Sequence, residues 1–134
     1  MKKISEHISY KEATFSDTAK RLKITNKPKE EHIENMELLA EKVFEPLREW
    51  VGHPIKVNSF YRSEKLNQII GGAMSSAHLD GKAIDITSLG GKTNLEMFLY
   101  IIENLDFDQI ISEYPVNGEP KWIHVSYKNK KDNR

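Results

Sequence analysis

Three side chains in the second half of the chain have the right chemistry to hold a metal ion together. His78 and Asp85 stand seven positions apart in Ser75-Ser76-Ala77-His78-Leu79-Asp80-Gly81-Lys82-Ala83-Ile84-Asp85, and His124 follows in Trp122-Ile123-His124-Val125-Ser126-Tyr127. Two imidazoles and one carboxylate are the ligand set of a catalytic zinc site, with the fourth position left for water. Such a set leaves net positive charge on the metal, which brings the pKa of bound water towards ~7. The His78–Asp85 spacing alone says little, because a loop histidine and a strand aspartate are each usually solvated or simply hydrogen-bonded. The elements carrying the three residues must bring them together.

Those elements can be read from turn signals and periodicity. Residues 31 to 51 form a long helical pattern with Ile33, Leu39, Val43, Leu47 and Trp50 near one face. Pro46 should kink or split it, and Gly52 stops it. Ile55 to Tyr61 alternates, with Ile55, Val57, Ser59 and Tyr61 on one side, and reads as a strand. Ser63 can cap a short helix ending at Gly71-Gly72. Lys82 to Thr87 reads as a second strand, with Ile84 and Ile86 on one face and Ala83, Asp85 and Thr87 on the other. Thr93 and Glu96 form a capping-box pattern opening a helix from about Asn94 to Asn104, whose Leu95, Phe98, Leu99 and Ile102 are spaced for burial. Strands at Phe107 to Tyr114 and Trp122 to Tyr127 flank Asn117-Gly118, the strongest short hairpin signal. Helices before and between the strands of a small antiparallel sheet imply an α+β domain.

Register then tests the constellation. Alternation puts Trp122, His124 and Ser126 on one face, away from Ile123, Val125 and Tyr127, as Asp85 lies away from its isoleucines. With Asn117 and Gly118 as the central turn residues, Ile111 opposes His124 and Glu113 opposes Trp122. Glu113 thus shares the His124 face one diagonal step away, roughly 7 to 8 Å between backbone positions. Glu119 has the other parity and should point to the opposite face. A carboxylate beside the metal could take a proton from water and pass it to a leaving amine, which is peptide hydrolysis. Glu113 is otherwise an exposed strand residue, Trp122 a packing residue or a substrate platform, and Ser76 a loop hydrogen-bonder with no adjacent base. Arg62, between a strand and a helix, is a surface charge or a bidentate clamp for a substrate carboxylate. His7, His32 and His53 carry no chemical expectation.

Bulk properties narrow the classes. At 134 residues the chain is read as one domain, residues 1–134, with room for a single core. Lys+Arg and Asp+Glu both number 20, so no basic field calls for a nucleic acid. The absence of cysteine leaves nitrogen and oxygen as the only metal donors. Met1-Lys2-Lys3 begins like a signal peptide, but Ser5, Glu6, His7, Lys11 and Glu12 break the apolar segment. The expectation is a chain made in the cytoplasm without an export signal. The longest apolar run, Met97 to Ile102, is too short for a membrane span, and the basic residues 128–134 read as a solvated tail.

The motif Ser76-x-His78-x-x-Gly81-x-Ala83-x-Asp85, preceded by Ser59-Phe60-Tyr61-Arg62-Ser63 and followed by Trp122-Ile123-His124-Val125-Ser126, resembles the zinc D-alanyl-D-alanine carboxypeptidases and their relatives, the phage L-alanyl-D-glutamate endopeptidase endolysins. Ile4-Ser5-Glu6-His7, Ser16-Asp17-Thr18-Ala19, Pro46-Leu47-Arg48 and Gly71-Gly72 are similar to the small branch of that family, so the likeness runs from about Ile4 to Tyr127. The resemblance implies zinc on His78, Asp85 and His124, an acid/base at Glu113, and Arg62 on a substrate carboxylate; the expected substrate contacts are Arg62, Ser76 and Trp122. Two departures stand out. Lys121 occupies the position where many relatives carry the acid, and Phe60 stands where glycine is frequent, which should narrow the cleft. The implied function is a monomeric peptidase of the peptidoglycan stem peptide or cross-link, reaching the wall by phage lysis or virion delivery. The alternative is a non-catalytic zinc-containing binding module, since the Hedgehog signalling domain shares this fold and site.

Overall fold

The computed structural model describes residues 3–133; Met1 and Lys2 of the signal-like start and Arg134 of the basic tail lie outside the described residues. Two short strands, β1 (Lys3–Ser5) and β2 (Ile8–Ser9), lead into helices α1 (Tyr10–Thr14) and α2 (Asp17–Leu22). Each helix starts on a serine: Ser9 and Glu12 make a reciprocal capping box, and Ser16 Oγ accepts from the Ala19 N–H at 3.1 Å.

The long helical run is continuous from Glu30 to Val51 but changes its winding before the proline. Helix α3 (Glu30–Leu39) passes through a π turn (Ala40–Phe44) into α4 (Glu45–Val51). Pro46 has no N–H to give back to the preceding turn, and the wider i→i−5 winding, in which the Glu45 N–H bonds to the Ala40 carbonyl, makes room for its ring. Gly52, at φ +71°, ends the run.

A four-stranded antiparallel sheet follows in the order β3 (Ile55–Ser59), β4 (Ala83–Ser88), β6 (Trp122–Ser126), β5 (Gln109–Glu113). Its inner face carries Ile55, Ile84, Ile86, Ile123 and Val125, all buried against Met36, Leu39, Val43, Phe44 and Leu47 of the long helix and against helix α6 (Asn94–Asn104). The α+β architecture is therefore as read. Among the described residues no helix is long and apolar enough to cross a membrane.

Three expectations are corrected. Strand β3 stops at Ser59, because a bulge at Asn58 breaks the alternation and turns both Phe60 and Tyr61 into the core. Strand β5 spans only Gln109–Glu113, since Tyr114 takes a left-handed backbone (φ +44°) as the chain enters the turn. Helix α6 buries Met97 and Ile101, while Leu95, Leu99 and Ile102 remain exposed. Residues 97–102 are apolar all round, so periodicity had no polar side against which to orient the helix.

Candidate metal centre

The outer face of the sheet carries a row of residues across all four strands. Ser59 pairs with Asp85, Asp85 with His124, and His124 with Ile111. The β5–β6 register is the one that the Asn117-Gly118 turn dictates: both residues are left-handed (φ +54° and +82°), and Glu113 lies opposite Trp122. Glu113, two residues from Ile111 on the same strand, therefore shares the face of His124.

His78 reaches this row from a 3-10 turn (Ala77–Asp80) that the surrounding sequence specifies. Ser76 Oγ accepts from the His78 N–H at 3.2 Å, which gives Ser76 a capping role. Gly81 closes the turn at φ +73°, pressed so tightly onto α3 that a Cβ there would meet the His32 carbonyl oxygen at 2.5 Å.

The three side chains converge. Their ligand atoms lie within 4.8 Å of one another, with His124 Nδ1 at 2.9 Å from Asp85 Oδ1 and His78 Nε2 at 3.2 Å from Asp85 Oδ2. The opposite nitrogen of His78 is 2.7 Å from the Phe60 carbonyl oxygen, which can only accept, so Nδ1 carries the proton. The other ring nitrogen, Nε2, is the one that faces the Asp85 carboxylate. Nε2 is buried without a hydrogen-bond partner, in a residue only 2% exposed. Burial, the largest single influence, pushes the Asp85 carboxyl up, but the imidazoles of His124 and His78 pull it further down, well below the usual carboxylate range. An anionic carboxylate and a buried ring nitrogen without a hydrogen-bond partner are what a cation between them would satisfy. Two imidazole nitrogens and a carboxylate oxygen fit zinc. The Phe60 carbonyl is the kind of outer partner that fixes a ligand histidine's tautomer.

Arg62 is tied to the same place. Its backbone N–H donates to the His78 carbonyl at 3.1 Å, and its Nη1 donates to Asn67 Oδ1 at 2.9 Å. Its Nε is buried without a partner, and among the described residues no carboxylate forms an ion pair with it. Burial lowers the guanidinium pKa, and the Asp85 charge opposes that.

The remaining expectations sort as follows. Trp122 stands half-buried on the His124 face with Tyr114 tilted against it, ring centroids 5.1 Å apart. Phe60, expected to narrow the cleft, is fully buried in the core, and its carbonyl is its contribution to the site. Lys121 is exposed, and its backbone N–H donates to the Glu113 carbonyl at 2.9 Å. Glu119 has a separate task, accepting from the Leu95 N–H in the first turn of α6 at 2.9 Å. His32 stacks on Tyr61, and His7 bonds to Glu45. Sequence reading missed two asparagines. Asn26 holds the Arg62 segment by accepting from the Ser63 N–H and donating to the Tyr61 carbonyl, and Asn67 is buried beside Arg62. Asn67 had a faint signal, a polar residue next to Leu66 in a short capped helix; Asn26 had none.

The sequence model of the Peptidase M15 family matches residues 6–126, which takes in every residue of this site. The chain belongs to the M15 peptidases. That family is zinc-dependent and is the one whose motifs the sequence resembles. No curated protein matches the chain. The group of His78, Asp85 and His124 that could hold a metal ion lies within the matched residues.

Proposed function

We infer that this M15 peptidase hydrolyses a peptide bond in the stem or cross-link of bacterial peptidoglycan, with His78, Asp85 and His124 as its zinc ligands. The observation that carries the reading is a pair of unsatisfied nitrogens on linked segments: the buried His78 Nε2, without a hydrogen-bond partner beside the Asp85 carboxylate, and an unpaired N–H on Arg62 Nε. One calls for a cation and the other for an acceptor such as a substrate carboxylate, and peptidoglycan stems carry free carboxylates beside their peptide bonds.

When bound, zinc supplies Lewis acidity, polarising a scissile carbonyl and making water nucleophilic near neutral pH. The protein's own residues do the rest. Arg62 binds and orients the carboxylate, and its planar fork sets the peptide's direction. Glu113 takes the proton of the attacking water onto its carboxylate and returns it to the departing amide nitrogen. Support for Glu113 is its register on the His124 face, whereas Glu119 is engaged at the start of α6. Trp122, opposite Glu113 in register and packed against Tyr114, offers an aromatic surface for the peptide beside the metal ligands.

The test is Glu113→Gln assayed on purified peptidoglycan. Fold and zinc content should survive, and release of soluble fragments should fall by roughly 10² or more. Parent-like hydrolysis by the variant would remove Glu113 from the mechanism. A parent protein that binds zinc yet releases no fragment would hand the function to the binding-module alternative.

A further inference from the structure

Asn67, in helix α5 (Glu64–Ile69), carries a buried amide with both ends committed. It is 3% exposed; its Nδ2 donates to the Ala73 carbonyl at 2.8 Å, and its Oδ1 accepts from Arg62 Nη1 at 2.9 Å. The loop after the helix is built around that contact. Gly72 gives its N–H to the Asn67 carbonyl at 2.8 Å, and a Cβ at Gly72 would fall 2.0 Å from Asn67 Oδ1 and 2.8 Å from Arg62 Nη1. Any larger residue would have to push the amide or the guanidinium aside.

The choice of amide over carboxylate has a consequence. An aspartate at this position would be a permanent counter-ion for Arg62, competing with any carboxylate arriving from outside. An amide oxygen fixes the guanidinium plane through one neutral acceptor and leaves the charge uncompensated. We propose that Asn67, in the space that Gly72 leaves open, is a positioning residue that aims the Arg62 guanidinium at a substrate carboxylate without neutralising it. This rests on the assignment of Arg62 as the carboxylate clamp made above.

The experiment uses the full chain with zinc and two probes: a synthetic stem peptide with free carboxylates, and the same peptide with its carboxylates converted to carboxamides. Asn67→Asp is nearly isosteric. It should raise KM for the carboxylate peptide by roughly tenfold, with kcat and zinc content little changed, and leave KM for the carboxamide peptide where it was. Arg62→Ala should raise KM for the carboxylate peptide at least as much, and adding Asn67→Asp to it should have no further effect, because the pair acts as one unit. Gly72→Ala should give the same carboxylate-selective signature.

Equal losses on both peptides would reduce Asn67 to a structural residue and overturn the proposal. So would an unchanged KM in Asn67→Asp alongside a raised one in Arg62→Ala. If Arg62→Ala itself leaves the carboxylate peptide unaffected, the clamp assignment has failed and the proposal falls with it. If the parent cleaves neither peptide, calorimetric binding of the two gives the same comparison. Equal binding of both by the parent would then overturn it.

Discussion

Two parts of the molecule press a histidine ring against a carboxylate at hydrogen-bond distance, yet only one is built like a reactive site. In the first, Glu45 at the start of α4 meets the β1–β2 hairpin: His7 Nδ1 lies 2.7 Å from one oxygen, while Ser5 Oγ and the His7 N–H donate to the other at 2.6 and 2.9 Å. Donors surround the carboxylate, the imidazole is exposed, and the cluster behaves as a latch between hairpin and helix. A cavity of about 770 Å³ opens beside it, lined by both residues. In the second, Asp85 meets one buried and one half-buried ring, and a nitrogen of the buried ring is left with nothing to bond. Proximity does not separate the two. What separates them is whether the local hydrogen-bonding account closes, since an unpaired buried polar atom costs too much to persist without a ligand or a strained purpose.

The largest expected effect breaks the two clusters apart directly. The parent should hold one zinc per chain; His124→Ala should lose it, whereas His7→Ala should keep it. With one of three donors gone, affinity should drop by more than the roughly 10- to 100-fold typical of losing an outer-shell partner. Metal analysis of the two purified variants decides the matter, and a fully loaded His124→Ala protein would void the ligand assignment.

The next effect concerns stability and acid. Burial, the largest influence on Glu45, pushes its carboxyl up, but bonds from His7 and Ser5 and the His7 charge bring its pKa below the ordinary value. A depressed carboxyl stabilises the fold above its unfolded pKa, and that contribution is lost as pH falls through the folded value. Glu45→Gln should therefore cost about 1 to 3 kcal/mol at pH 7, with the gap to the parent closing below pH ~4. Urea unfolding of both proteins across pH 3 to 7 measures it; a gap that widens in acid would show that the latch does not work through the carboxylate.

The smallest effect sharpens the contrast between the two hairpin acids. Glu119→Gln weakens the acceptor for the Leu95 N–H and should destabilise the fold by about 0.5 to 1 kcal/mol, leaving hydrolysis at the parent rate. Thermal unfolding paired with the peptidoglycan assay tests both halves. A large activity loss here would mean that the parity argument had chosen the wrong glutamate.

Features governed by neighbours in sequence could be read from the chain alone. Asn117-Gly118 dictated the β5–β6 register because a two-residue turn with both φ positive admits one pairing, and that pairing brings Glu113 onto the His124 face. Alternation separated Asp85 from Ile84 and Ile86, and Thr93 with Glu96 marked the start of α6. The Ser9 and Ser16 caps were equally local and went unread. Other features depended on atoms far apart in the chain. Which face of an all-round apolar α6 is buried depends on the sheet and α4 beneath it, so Met97 and Ile101 displaced Leu95, Leu99 and Ile102. Whether His78 Nε2 finds a partner depends on Phe60, eighteen residues earlier, taking the proton on the other nitrogen. The segment carrying Arg62 is held by Asn26, whose amide bonds the Tyr61 carbonyl and the Ser63 N–H from far earlier in the chain. Residue types and strand parity are local properties of a chain, but burial and unmet hydrogen bonds are sums over all neighbours in space, and only the folded structure carries them out.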